Sequence, residues 1–69
     1  MKTTIGSHTI ETTTEKDKTG YYIKTVITPG LMKLNGQPTK ETTEIDRTCL
    51  YSQDMIHKDH VNRLTRYNS

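Results

Sequence analysis

In the first half of the chain, the side chains fall into two alternating sets with a period of two residues. From residue 7 to 15, one side of an extended chain carries His8, Ile10, Thr12 and Thr14. From residue 21 to 28, one side carries Tyr21, Ile23, Thr25 and Ile27. Because successive side chains of a β-strand point to opposite faces, this period predicts strands over 7–15 and 21–28. Residues 16–20, which end in a glycine, predict a hairpin loop between them.

The middle of the chain is less regular. Pro29 and Gly30 end the second strand, and Asn35-Gly36 is a strong signal for a two-residue hairpin turn. A short strand is therefore predicted over 31–34. A longer extended segment is predicted over 39–51, where polar and apolar residues alternate again.

After Ser52 the period changes to that of a helix. Ser52 is a plausible N-cap, and Asp54 suits the positive end of the helix dipole. At helical spacing one side gathers the less polar residues Ile56, His57, His60, Val61, Leu64 and Tyr67. This pattern predicts an amphipathic helix over 53–67.

Together these elements predict one small α+β domain over residues 1–69. It is an antiparallel β-meander of three to four strands followed by one C-terminal amphipathic helix that packs on a sheet face.

The apolar content limits the core that this fold can bury. Ile, Leu and Val make up 12 of the 69 residues, whereas threonine alone occurs 14 times. A small domain with so few apolar residues usually needs disulfides, a metal or association to supplement its core. A single cysteine cannot form an internal disulfide. We therefore expect a homodimer, or stabilisation by a partner.

Charge and the N-terminus bear on location. The net charge is +2, and acidic and basic residues are mixed along the chain. Residues 1–4 lead into no apolar stretch, and no run approaches the ~20 residues of a membrane span. The lone Cys49 fits a reducing compartment. We expect a cytoplasmic protein without a membrane partner.

Catalytic and metal-binding patterns are weak. The four glycines are isolated, which excludes a phosphate-cradling loop. Cys49, His57 and His60 are weak zinc candidates, but the paired ligands typical of such sites are missing. We expect no metal, no cofactor and no enzymatic activity.

The segment after Pro29 offers a candidate protein-binding surface. Leu31, Met32 and Leu34 project from a turn-rich stretch, and exposed apolar loops often mark partner sites. The alternative is that the same three residues fold back and close one end of the core.

The sequence therefore predicts a small non-enzymatic protein-binding module that acts as an inhibitor or adaptor of a larger partner. Chains of this kind are common among accessory proteins of phages and mobile elements. The alternative function is a nucleic-acid-binding regulator that uses the basic residues near the helix to contact phosphates, namely Arg47, Lys58, Arg63 and Arg66.

Overall fold

The computed structural model describes residues 1–30, 40–48 and 50–68, with backbone only for the last two. Its elements are β1 (Lys2–Ile5), β2 (His8–Asp17), β3 (Gly20–Thr28), β4 (Thr42–Asp46) and α1 (Gln53–Asn68). The strands form one antiparallel sheet in the order β1-β2-β3-β4. The predicted α+β class, a meander followed by one C-terminal helix, is confirmed.

Strand β1 was not predicted. It pairs with β2 through a two-residue turn at Gly6 and Ser7, where Ile5 lies opposite His8. Gly6 has a φ of 59°, a conformation that favours glycine in such turns. The ammonium group of Met1 donates to the carbonyl oxygen of Thr12 at 2.9 Å, so the strand pairing extends to the first residue.

Strand β4 is shorter than the strand predicted over 39–51. The side chain of Asp46 accepts hydrogen bonds from the backbone nitrogen and the hydroxyl of Thr48, at 2.9 and 2.7 Å. An aspartate that bonds two residues ahead turns the chain, and this ends the strand. The strand predicted over 31–34 lies outside the described residues.

Helix α1 begins where the sequence predicts. The hydroxyl of Ser52 accepts from the backbone nitrogen of Met55 at 3.3 Å, which makes Ser52 the N-cap. His57, His60 and Leu64 form the buried side of the helix. Their spacing of three and four residues places them on one face, which packs against β1 and β2.

The core between sheet and helix is largely polar. Among the described residues, the buried apolar side chains are Ile10 and Leu64. The buried polar side chains are His8, Thr12, Thr25, His57 and His60. Within the described part of the chain, every buried side-chain nitrogen or oxygen has a hydrogen-bond partner. Hydrogen bonds therefore do much of the positioning that apolar packing does in larger cores.

His57 joins the helix to the sheet. Its Nε2 lies 2.7 Å from the hydroxyl oxygen of Thr3, and its Nδ1 lies 2.9 Å from that of Thr12. The hydroxyl of Thr12 lies 3.4 Å from that of Thr25 in β3. A neutral imidazole suits this chain of bonds, because one nitrogen donates while the other accepts. Burial, followed by the positive N-terminus, lowers the pKa of His57 and favours that neutral form.

Replacing His57 with leucine should destabilise the fold by about 1–3 kcal/mol, because the buried hydroxyl of Thr12 loses its hydrogen bond to the imidazole. Adding Thr12→Val and Thr25→Val should recover much of this loss, since no buried hydroxyl then lacks a partner. Urea denaturation measures both effects. A triple variant no more stable than His57→Leu would mean that the loss comes from packing rather than from hydrogen bonding.

The lowered pKa of His57 also predicts a pH dependence. The unfolded chain binds a proton near the ordinary histidine pKa of 6.5, whereas the folded protein binds it only at lower pH. The folded state should therefore lose stability as the pH falls below about 6.5, until the folded pKa is passed. Denaturation midpoints at pH 7.5 and 5.5 measure this loss. His57→Leu should show a smaller loss, and an equal loss would assign the effect to other groups.

Candidate functional site

Helix α1 covers the half of the sheet formed by β1 and β2, and leaves a groove over β3 and β4. The groove has a volume of about 760 Å³. Its sheet side includes the side chains of Ile23, Thr25, Glu44 and Asp46, with the backbone position of Ile45 between the last two. Its other side is formed by Arg47, Thr48 and Tyr51 and by the helix residues Met55, Ile56, Asp59, His60 and Arg63.

Part of the groove lining is apolar. Ile23 from β3 and Ile56 from α1 are half-buried. Tyr51 and Met55 lie beside them, and their exposed fractions are 55% and 56%. Large apolar side chains grouped at a concave surface are typical of binding sites. Neither Tyr51 nor Met55 belongs to the buried core.

An imidazole–carboxylate pair spans the groove. Nε2 of His60 in α1 lies 3.0 Å from Oε2 of Glu44 in β4. The His60 side chain is buried, whereas 59% of the Glu44 side chain is exposed. The pair therefore connects the helix to the far strand and still presents carboxylate surface to the groove.

Acidic groups outnumber basic ones along the groove. The lining carries three carboxylates, Glu44, Asp46 and Asp59, and two guanidinium groups, Arg47 and Arg63. Hydrogen bonds from the hydroxyl and then the backbone of Thr48 lower the pKa of Asp46, which keeps it ionised.

The positive charge of Arg47 is matched by a residue outside the groove. Its guanidinium donates to both carboxylate oxygens of Asp17, at 3.2 and 2.6 Å, and to the hydroxyl of Thr19 at 2.6 Å. It also stacks 4.7 Å from the centre of the Tyr22 ring. The bonds from Arg47, followed by those from Thr19, hold the pKa of Asp17 well below its usual range. With Arg47 paired to Asp17, carboxylates outnumber guanidinium groups around the groove.

The structure describes all four basic residues predicted to bind nucleic acid. Arg47 and Arg63 line the groove, and Lys58 and Arg66 are exposed on the helix. Arg63 is paired with Asp59 on the next turn at 2.8 Å. The carboxylate partners of Arg47 and Arg63 reduce the attraction of these two guanidinium groups for phosphate.

The two histidines among the predicted zinc candidates have other partners. The ring nitrogens of His57 bind threonine hydroxyls, and His60 pairs with Glu44. Cys49 lies outside the described residues. Within residues 1–30, 40–48 and 50–68, no group of three or more His, Cys, Asp or Glu side chains is placed to hold a metal ion.

The groove was not predicted from the sequence. Its predicted partner site, Leu31, Met32 and Leu34, lies outside the described residues. A weak signal for the groove was present, because Met55 is a large apolar residue on the otherwise polar side of the predicted helix. The period of α1 marked its buried face but did not show which strands that face covers.

Comparison with protein-family models, with curated proteins and with solved structures found no match for this chain. In the part of the chain that the structure describes, no helix has the length and apolar character needed to cross a bilayer.

Two substitutions should separate groove residues from core residues. Met55→Ala should change the free energy of unfolding by less than about 0.5 kcal/mol, as exposed positions usually do. Leu64→Ala should cost about 2–5 kcal/mol, because Leu64 is 3% exposed. Urea denaturation of both variants measures the difference. A loss above about 1 kcal/mol for Met55→Ala would place that side chain in the core.

Proposed function

We propose that this protein is a non-enzymatic protein-binding module, an inhibitor or adaptor of a larger partner. Its groove receives an extended segment of that partner which carries apolar and basic side chains. The observation that supports this proposal best is the exposed apolar wall of Tyr51 and Met55 in a protein whose described core buries so few apolar side chains.

The distribution of apolar residues is the first argument. Burying apolar surface stabilises a fold by roughly 25 cal/mol per Å², and this chain has little such surface to bury. Large side chains that remain exposed at a concave site contribute little to folding. They become favourable when a partner covers them, which is how apolar patches act in protein recognition.

The carboxylates of the groove support a partner segment that carries basic side chains. The carboxylates of Glu44 and Asp46 face the groove, and Asp17 offsets the charge of Arg47. A lysine or arginine near these carboxylates gains complementary charge, whereas a phosphate backbone is repelled. A basic protein segment therefore fits better than a nucleic acid.

A peptide selection tests this function. The immobilised protein is used to select from a display library of random 12-residue peptides. We expect the enriched peptides to combine apolar with basic residues. The double variant Tyr51→Thr/Met55→Ala should weaken their binding at least tenfold, because it removes the apolar wall. Fluorescence anisotropy of labelled peptides gives the dissociation constants.

The matched control removes exposed apolar side chains that do not line the groove. Tyr21 and Leu50 are 62% and 75% exposed, so the control is Tyr21→Thr/Leu50→Ala. It should leave peptide affinity unchanged. Equal weakening by both double variants, or the absence of enriched peptides, would refute the groove as the binding site.

Two further arms test the other predicted sites. Loss of peptide binding in Leu31→Ser/Leu34→Ser, with binding intact in the Tyr51/Met55 variant, would move the site to the segment after Pro29. Binding of a 20-nucleotide single strand that weakens steeply with salt would support the nucleic-acid function instead.

A further inference from the structure

We infer that the partner segment binds as a fifth strand on the edge of β4 that no described strand covers, with lysine or arginine at alternate positions facing the groove. This inference rests on the proposed function and specifies how the segment is bound.

The backbone of β4 provides the first reason. Among the described residues, β4 pairs with β3 on one side only. In an antiparallel pair, the backbone groups of alternate residues point away from the neighbouring strand. An edge strand therefore offers a row of donors and acceptors to which an extended peptide can add.

The side chains of β4 provide the second reason. Glu44 and Asp46 lie on the groove side of the sheet, and Ile45 between them lies on the opposite face, where 47% of it is exposed. Residues opposite each other on neighbouring strands share a face, and opposite charges there are favourable. A strand that complements β4 therefore places basic residues beside Glu44 and Asp46, and an aliphatic residue beside Ile45.

The same charges disfavour two registers in which a second copy of the protein could pair with this edge. A two-fold axis through Ile45 would bring Glu44 of one copy opposite Asp46 of the other. A two-fold axis through Glu44 would bring the two copies of Glu44 together. Like charges directly opposite each other are destabilising, and inward-facing charges are a known protection against self-pairing of edges. A basic strand meets no such repulsion beside Glu44 and Asp46.

A defined peptide pair tests the inference. The probe is the capped heptapeptide Thr-Val-Lys-Val-Lys-Val-Thr, and its control is Thr-Lys-Lys-Val-Val-Val-Thr, which has the same composition without the alternation. Both are titrated into the isotope-labelled full chain and followed by amide NMR shifts. The alternating peptide should bind at least fivefold more tightly and should shift the amide signals of Thr42–Asp46.

Two sets of changes distinguish the contribution of the β4 carboxylates from that of backbone hydrogen bonding to the peptide. Glu44→Gln and Asp46→Asn keep the side-chain shapes and should each weaken the alternating peptide by about twofold to fivefold. The peptide's backbone nitrogens are methylated one at a time. Methylation should abolish binding at alternate residues, whose N–H groups point toward β4, and should be tolerated at the residues between them. The methylated peptides leave the protein unaltered, so a misfolded variant cannot explain the result.

The outcomes distinguish this inference from the proposed function. Equal affinity for the two peptides, or methylation without an alternating effect, would overturn strand addition. The groove would still stand if the Tyr51/Met55 variant weakens the peptides from the random library. If that variant weakens none of those peptides, the proposed function itself fails.

Discussion

The hydrogen bonds of His57 to Thr3 and Thr12 are the interaction on which the rest of the structure depends. They join α1 to β1 and β2 and fix the rotation of the helix about its axis. Because the helix is held over that half of the sheet, the described residues leave a groove over the other half. The position of the groove over β3 and β4 therefore depends on the hydrogen bonds of His57.

The far side of the groove depends on two turns of the same kind. Asp17 accepts from Thr19, and Asp46 accepts from Thr48, in each case through the backbone and the hydroxyl. Arg47, which lies within the second turn, binds both Asp17 and Thr19 of the first. The hairpin tip of β2 and β3 is thereby linked to the end of β4, where the chain leaves the sheet and approaches the helix. This link positions the edge strand whose acidic residues give the groove its charge.

Local patterns predicted β2, β3 and α1, because each has a clear period of two or 3.6 residues and a recognisable end. The missed strand β1 also had a signal, since Gly6-Ser7 between extended residues is a favoured hairpin turn. The early end of β4 also had a signal in the sequence. Asp46-Arg47-Thr48 repeats the spacing of Asp17-Lys18-Thr19, which ends β2. The groove had no comparable signal. Its position depends on contacts of His57 with residues 54 and 45 positions earlier in the chain, and no local period encodes such distances.

The threonine and histidine side chains of the core also determine how the protein should respond to temperature. Exposing apolar surface on unfolding raises the heat capacity by about 0.45 cal/K/mol per Å², whereas exposing polar surface lowers it by about 0.26. A core built largely from hydroxyl and imidazole groups should therefore unfold with a small change in heat capacity for its size. Its stability then varies gently between cold and warm conditions, and the low maximum expected of so small a domain extends over a wide range of temperature.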